Sequence, residues 1–110
     1  MSQLPRCLLI VSARIAAEHE EQWNEWYDNV HLPDALACPG VLSGRRYVSA
    51  GDASVTERGE RSTDTRRTYT TVYEITGPEA LETSEFRAMR GWYEFADHID
   101  ARTDVFFALD

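Results

Sequence analysis

The chain has 110 residues, 43% of them hydrophobic, which points to one domain with a real core and argues against wholesale disorder. A formal net charge of −8 repels phosphate backbones, so nucleic acid is not an expected partner. All 11 basic side chains are arginines, which removes Schiff-base lysines, lysine general bases and the phosphate-loop lysine together.

Residues 1–6 lack the charged-then-apolar pattern of a signal peptide. No apolar run approaches the roughly 20 residues needed to span a bilayer, so a soluble, cytoplasmic protein with no membrane partner is expected. Residues 7–15 read CLLIVSARI, a run of branched apolar residues too short for a buried helix, and predict a strand. Both of its faces begin apolar, so both should be covered. A helix is predicted over 18–32, with Trp23, Trp26, Tyr27 and Val30 on one stripe. Glu18, Glu20 and Glu21 crowd its first turn, where they favour the positive end of the dipole. Pro33 is expected to break it, with one more turn over 34–37 before the Pro39-Gly40 turn.

A second strand is predicted over 41–50, followed by an exposed polar loop over 51–67. Residues 68–76 alternate, with Tyr69, Thr71, Tyr73 and Ile75 on one face, and predict a third strand. Gly77-Pro78 ends it and opens a second helix, whose stripe runs through Phe86, Met89, Tyr93, Ala96 and Ile99 with a break at Gly91. The last strand is expected over 105–109. The order β-α-β-β-α-β predicts a single α+β domain over 1–110, of the ferredoxin-like type. It has a four-stranded antiparallel sheet with two helices on one face. The other face still carries apolar and aromatic groups, and the simplest cover is a second copy of the chain, making a homodimer.

Histidine chemistry is concentrated at His31, four residues after Tyr27 and beside the apolar stripe. It reads either as a packed interfacial histidine or as a general acid/base, whose ordinary pKa near 6.5 suits proton transfer. His98 follows Trp92, Tyr93 and Phe95 and reads as a polar helix-end residue or a pocket residue. His19, among glutamates, reads as a solvated surface residue. Arg45 and Arg46 are consecutive on a strand and face opposite ways, so one meets a covered face and needs an acidic or ligand partner. A structural salt bridge and an enolate clamp are both open for Arg46. Tyr69 and Tyr73 form either a hydroxyl-bearing pocket wall or plain aromatic core. Cys7 and Cys38 match no metal or redox spacing, and Glu94 with His98 lacks a third ligand, so no metal is expected. With no nucleotide fingerprint and no serine-nucleophile motif, no cofactor is expected and the chemistry reads as proton transfer.

Trp26-Tyr27-Asp28-Asn29-Val30-His31-Leu32-Pro33, continuing to Pro39-Gly40-Val41 and Arg45-Arg46-Tyr47, resembles the dimeric α/β-barrel superfamily, particularly its EthD-like branch. Phe86-Arg87-Ala88-Met89-Arg90-Gly91-Trp92, with His98 beyond, is similar to the same branch. The resemblance implies two sheets packed face to face into a barrel. It also implies a pocket between sheet and helices or within the barrel, lined by the histidine that matches His31. The superfamily includes cofactor-free monooxygenases, muconolactone-type isomerases, polyketide cyclases and haem-degrading enzymes. The leading reading is a cofactor-free cyclase or isomerase acting on a hydrophobic, oxygenated small molecule such as a polyketide-derived or aromatic-catabolic intermediate. His31, Tyr27 and Arg46 would be catalytic, while Tyr69, Tyr73, Trp92, His98 and Trp26 would bind substrate. A non-catalytic dimeric ligand-binding protein is the alternative, with a monooxygenase or haem-degrading enzyme as a further one.

Overall fold

The computed structural model describes residues 4–109. In chain order it contains β1 (Cys7–Ile15), α1 (Glu20–Trp26), a π turn (Tyr27–His31), α2 (Leu32–Leu36), β2 (Val41–Val48), β3 (Ala53–Glu57), β4 (Glu60–Asp64), β5 (Tyr69–Ile75), α3 (Ser84–Met89) and β6 (Ile99–Phe107). Short 3-10 segments at Ala17–His19, Pro78–Glu82 and Tyr93–His98 link these elements.

The main sheet has the order β2-β5-β1-β6, with every neighbouring pair antiparallel. Setting β3 and β4 aside, this is the ferredoxin-like split βαβ arrangement expected from the element order. The central strand β1 turns Cys7, Leu9, Val11 and Ala13 toward the helical layer. One face of the sheet packs against the helical segments. There Cys7, Leu9, Val41, Tyr73 and Ile75 join Ala35, Cys38, Ala80 and Phe86 in one buried cluster, and Ala13 joins Trp23, Tyr27 and Phe95 in another. The opposite face presents Leu8, Ile10 and Ser12 of β1, Thr70 and Val72 of β5, Tyr47 of β2 and Phe106 of β6. Tyr47 and Phe106 are 53% and 47% exposed on that face.

Four expectations are corrected. The first helix does not stop before Pro33: helical geometry runs on to Leu36. The amide of Leu32 donates to the carbonyl of Tyr27, five residues back, and this wide turn delivers Pro33 to the first turn of α2, where a missing N–H costs nothing. The polar stretch 51–67 is not only loop, because β3 and β4 pair across an Arg58-Gly59 connection with positive φ at both residues. That is the backbone of a primed two-residue hairpin turn. The second helix is short: Gly91 does break it, but Tyr93 and Ala96 lie in a separate 3-10 segment and Ile99 already starts β6. The last strand consequently begins six residues earlier than expected, at Ile99, because its full pairing with β1 from Ile99↔Ile15 to Phe107↔Cys7 overrides a locally polar sequence.

Candidate functional site

A cavity of about 500 Å³ lies between the sheet and the helical layer. Its floor is Leu9 and Val11 of β1, Tyr73 of β5 and Thr103 of β6. Tyr27, His31 and Ala35 form one wall, and the run from Phe86 through Met89 and Arg90 to Trp92 forms the other, with Leu81 beside it. The π turn sets the first wall. It carries Tyr27 and His31 onto the same side of the helix, their rings edge-on with centroids 4.8 Å apart.

His31 is 7% exposed, stacked on Trp26 at 4.6 Å and tilted toward Trp92 at 5.7 Å. Neither ring nitrogen has a hydrogen-bond partner among the described residues. Burial pushes its pKa down to about 4; Asp34 opposes the shift and Arg46 adds to it. The imidazole is therefore neutral at ordinary pH, with one nitrogen free to accept and the other to donate.

The phenols form a chain. Thr71 Oγ1 donates to the hydroxyl of Tyr27 at 2.8 Å, and the hydroxyl oxygens of Tyr27 and Tyr73 are 3.5 Å apart. With the oxygen of Tyr27 occupied by Thr71, its proton is free to turn toward Tyr73, which leaves the Tyr73 proton for the cavity. Burial, reinforced by Tyr27, holds the Tyr73 hydroxyl well above the usual phenol range, so it stays a donor.

Arg46 has a different place. It lies opposite Thr71 on the helix-facing side of β2 and does not line the cavity. Its guanidinium donates to Asp28 Oδ1 at 2.7 Å and Asn24 Oδ1 at 2.8 Å, and lies 4.2 Å from the ring centre of Tyr27 and 5.1 Å from that of Trp23. Arg45 faces the other way, as strand alternation requires. Tyr69 also stands outside the cavity: it donates to Glu20 and accepts from Asn24 Nδ2 at 3.1 Å. That hydrogen bond is the main cause of a lowered Glu20 pKa, with Arg67 assisting. His98 stacks on His19 at 4.0 Å, away from the cavity lining. Trp92 lines the cavity, whereas Trp26 supports His31 from behind and is capped in turn by Tyr93 at 6.0 Å.

Of the residues singled out from sequence, His31, Tyr27, Tyr73 and Trp92 thus meet at one cavity, while Arg46, Tyr69, Trp26 and His98 surround it or stand off. Three groups escaped notice: Thr71 as the donor that fixes Tyr27, Thr103 on the floor, and Arg90 at the rim. The signal for Arg90 was its place directly before Gly91, whose φ of +117° ends the helix and turns the chain along the cavity edge. Burial raises the Cys38 thiol pKa, so it is not a ready thiolate. Among the described residues no three histidine, cysteine or acidic side chains are grouped to hold a metal ion, and no helix is long and apolar enough to cross a membrane.

Comparison with solved structures places this architecture. HapK from Hahella chejuensis is 16% identical over 94% of this chain and 92% of its own, with a TM-score of 0.61. A protein described as an antibiotic biosynthesis monooxygenase is 14% identical over 94% of this chain and 99% of its own, with a TM-score of 0.63. The fold is ferredoxin-like. An EthD family protein from Bacillus halodurans shares this ferredoxin-like fold at 12% identity and a TM-score of 0.57, over 94% of this chain and 99% of its own. No family model matches the chain, and no curated protein matches it.

Proposed function

We propose that the protein is a cofactor-free enzyme that moves a proton on a hydrophobic, oxygenated small molecule, with isomerisation or cyclisation as the outcome. One observation carries the reading: a buried imidazole with no hydrogen-bond partner among the described residues and the phenol of Tyr73 line the same cavity. In the step this supports, His31 accepts the proton from a carbon beside a carbonyl. The C–H electron pair moves into the carbonyl, and the resulting enolate oxygen takes the hydrogen bond from Tyr73. Imidazolium and enolate form together as an ion pair in a largely buried site, so each stabilises the other despite the low resting basicity of His31. Return of the proton to another carbon is isomerisation; attack of the enolate carbon on a second carbonyl is cyclisation, with the π pair of that carbonyl moving to its oxygen, which takes the proton back from His31. The enolate falls to the tyrosines rather than to Arg46, whose guanidinium is held by Asp28 and Asn24.

The proteins of similar fold include one described by antibiotic biosynthesis, which fits a substrate of the polyketide type. A homodimer through the open sheet face fits the exposed Tyr47 and Phe106 there. The absence of a partner orienting His31 favours one other reading, a protein that binds the same class of ligand without turning it over. Deuterium wash-in separates the two. Wild type should exchange the acidic carbon-bound protons of 2-tetralone in deuterated buffer faster than buffer alone, and His31→Ala should not. Equal rates in both proteins would leave the binding reading.

A further inference from the structure

The arginines of this chain are mostly committed. Arg14 pairs with Asp64, Arg46 with Asp28, Arg66 with Asp64, Arg67 with Glu20, Arg87 with Glu82 and Arg102 with Asp104. Arg61 donates to Ser54. The guanidinium groups of Arg45, Arg58 and Arg90 have no hydrogen-bond or ion-pair partner among the described residues. Arg45 lies on the open sheet face and Arg58 at the hairpin tip, both away from the cavity. Arg90 is exposed as well, but it stands at the cavity rim. It leaves α3 with extended φ and ψ of −68° and 155°, and the left-handed Gly91 follows, so its side chain lines the cavity next to Trp92 and Met89.

A free guanidinium on the rim of an apolar cavity, in a chain with a net charge of −8, is a local exception to the field of the whole protein. The opposite wall and the floor offer it no carboxylate: the polar groups lining the cavity are Tyr27, His31, Tyr73 and Thr103. Phenols, a hydroxyl and a neutral imidazole do not neutralise it. An arginine fork presents parallel N–H donors that match a planar carboxylate two for two.

We propose that the cavity selects ligands with an anionic end, a carboxylate or an equivalent planar oxyanion, held at the rim by Arg90. The apolar body then lies on Leu9, Val11 and Phe86, with the reacting carbonyl toward Tyr73. This inference rests on the cavity being the working site, and it narrows the substrate class to amphipathic acids. It also sets direction: the anion stays at the mouth, near water, and only the uncharged part is desolvated, which avoids the cost of burying a charge.

The test uses 2-naphthoate and its uncharged methyl ester, which share one aromatic body, titrated calorimetrically into wild type, Arg90→Gln and Arg90→Lys. Wild type should bind the acid about tenfold more tightly than the ester, the size expected for one charge-assisted contact at a partly exposed site. Arg90→Gln should lose that preference while keeping ester affinity and melting temperature. Arg90→Lys should keep part of it, in a form that weakens with added salt. No preference in wild type, or a preference that survives in Arg90→Gln, overturns the role of Arg90 and leaves the cavity reading intact. Failure of both compounds to bind overturns the cavity reading and this inference with it.

Discussion

Replacing His31 by leucine keeps the bulk that fills the space against Trp26 and removes the titrating ring. The folded-state pKa is about 4 against an ordinary 6.5, so the unfolded chain takes up the proton first as pH falls. The contribution of neutral His31 to stability is thus fully present above pH 6.5, declines through the window from 6.5 to about 4, and is gone below it. At 1.36 kcal/mol per pKa unit the whole window is worth about 3 kcal/mol; at about pH 4.5, with the cavity-facing edge of the ring partly hydrated, about 2 kcal/mol is lost. Asp34, Arg46 and the other charged groups remain in the variant, so their titration cancels in the difference. Urea unfolding from about pH 7 to about pH 4.5 should therefore cost wild type about 2 kcal/mol more than His31→Leu, or roughly 8 °C in melting temperature. Parallel pH curves for the two proteins would show that His31 titrates normally and that the cavity does not desolvate it.

Three further outcomes follow from packing. A Cβ at Gly44 would sit 2.7 Å from Tyr73 Cδ1 and 3.0 Å from Leu36 Cδ2, so Gly44→Ala should push the Tyr73 ring and cost about 1–3 kcal/mol, read by urea unfolding. Arg46→Met removes the charged hydrogen bonds and the stacking on Tyr27 from a side chain only 13% exposed; because Asp28 is 60% exposed, the ion pair itself is screened and a loss of about 1–2 kcal/mol is expected. An unchanged melting temperature there would contradict the structural role of Arg46. Ile10→Arg places a charge at the centre of the open sheet face and should turn the proposed dimer into monomer by sedimentation velocity, with helical content retained.

Much of this fold was legible because its signals are periodic. The branched run of β1, the 3.6-residue stripe from Trp23 to Tyr27 and the alternating tyrosines of β5 each carry their own geometry; Val30, expected on that stripe, is 46% exposed because the π turn buries His31 in its place. What escaped lay where local sequence and long-range pairing disagree. Ile99 to Asp104 is polar and loop-like, yet continuous pairing with β1 makes it strand. The β3–β4 hairpin is polar on both faces, so no alternation marks it, and its Arg-Gly turn is not among the usual signatures. Pro33 signals a helix end on its own; only the hydrogen bond from Leu32 to Tyr27 shows how the helix passes it. The site divides in the same way. His31, Tyr27 and Tyr73 could be found from spacing, whereas Arg46 and Tyr69 were equally compatible with lining the cavity or bracing it. Only their partners, Asp28, Asn24 and Glu20, assign them to bracing.

The central claim is that neutral His31 is the proton acceptor in this cavity. Its most direct test is the rate of deuterium wash-in to 2-tetralone as a function of pH, in wild type and His31→Ala. Wild type should hold a plateau from about pH 7 down to about pH 5 and fall as the pH approaches 4, where His31 takes its proton. His31→Ala should run at the buffer rate throughout. A His31→Ala profile that overlays wild type would contradict the account.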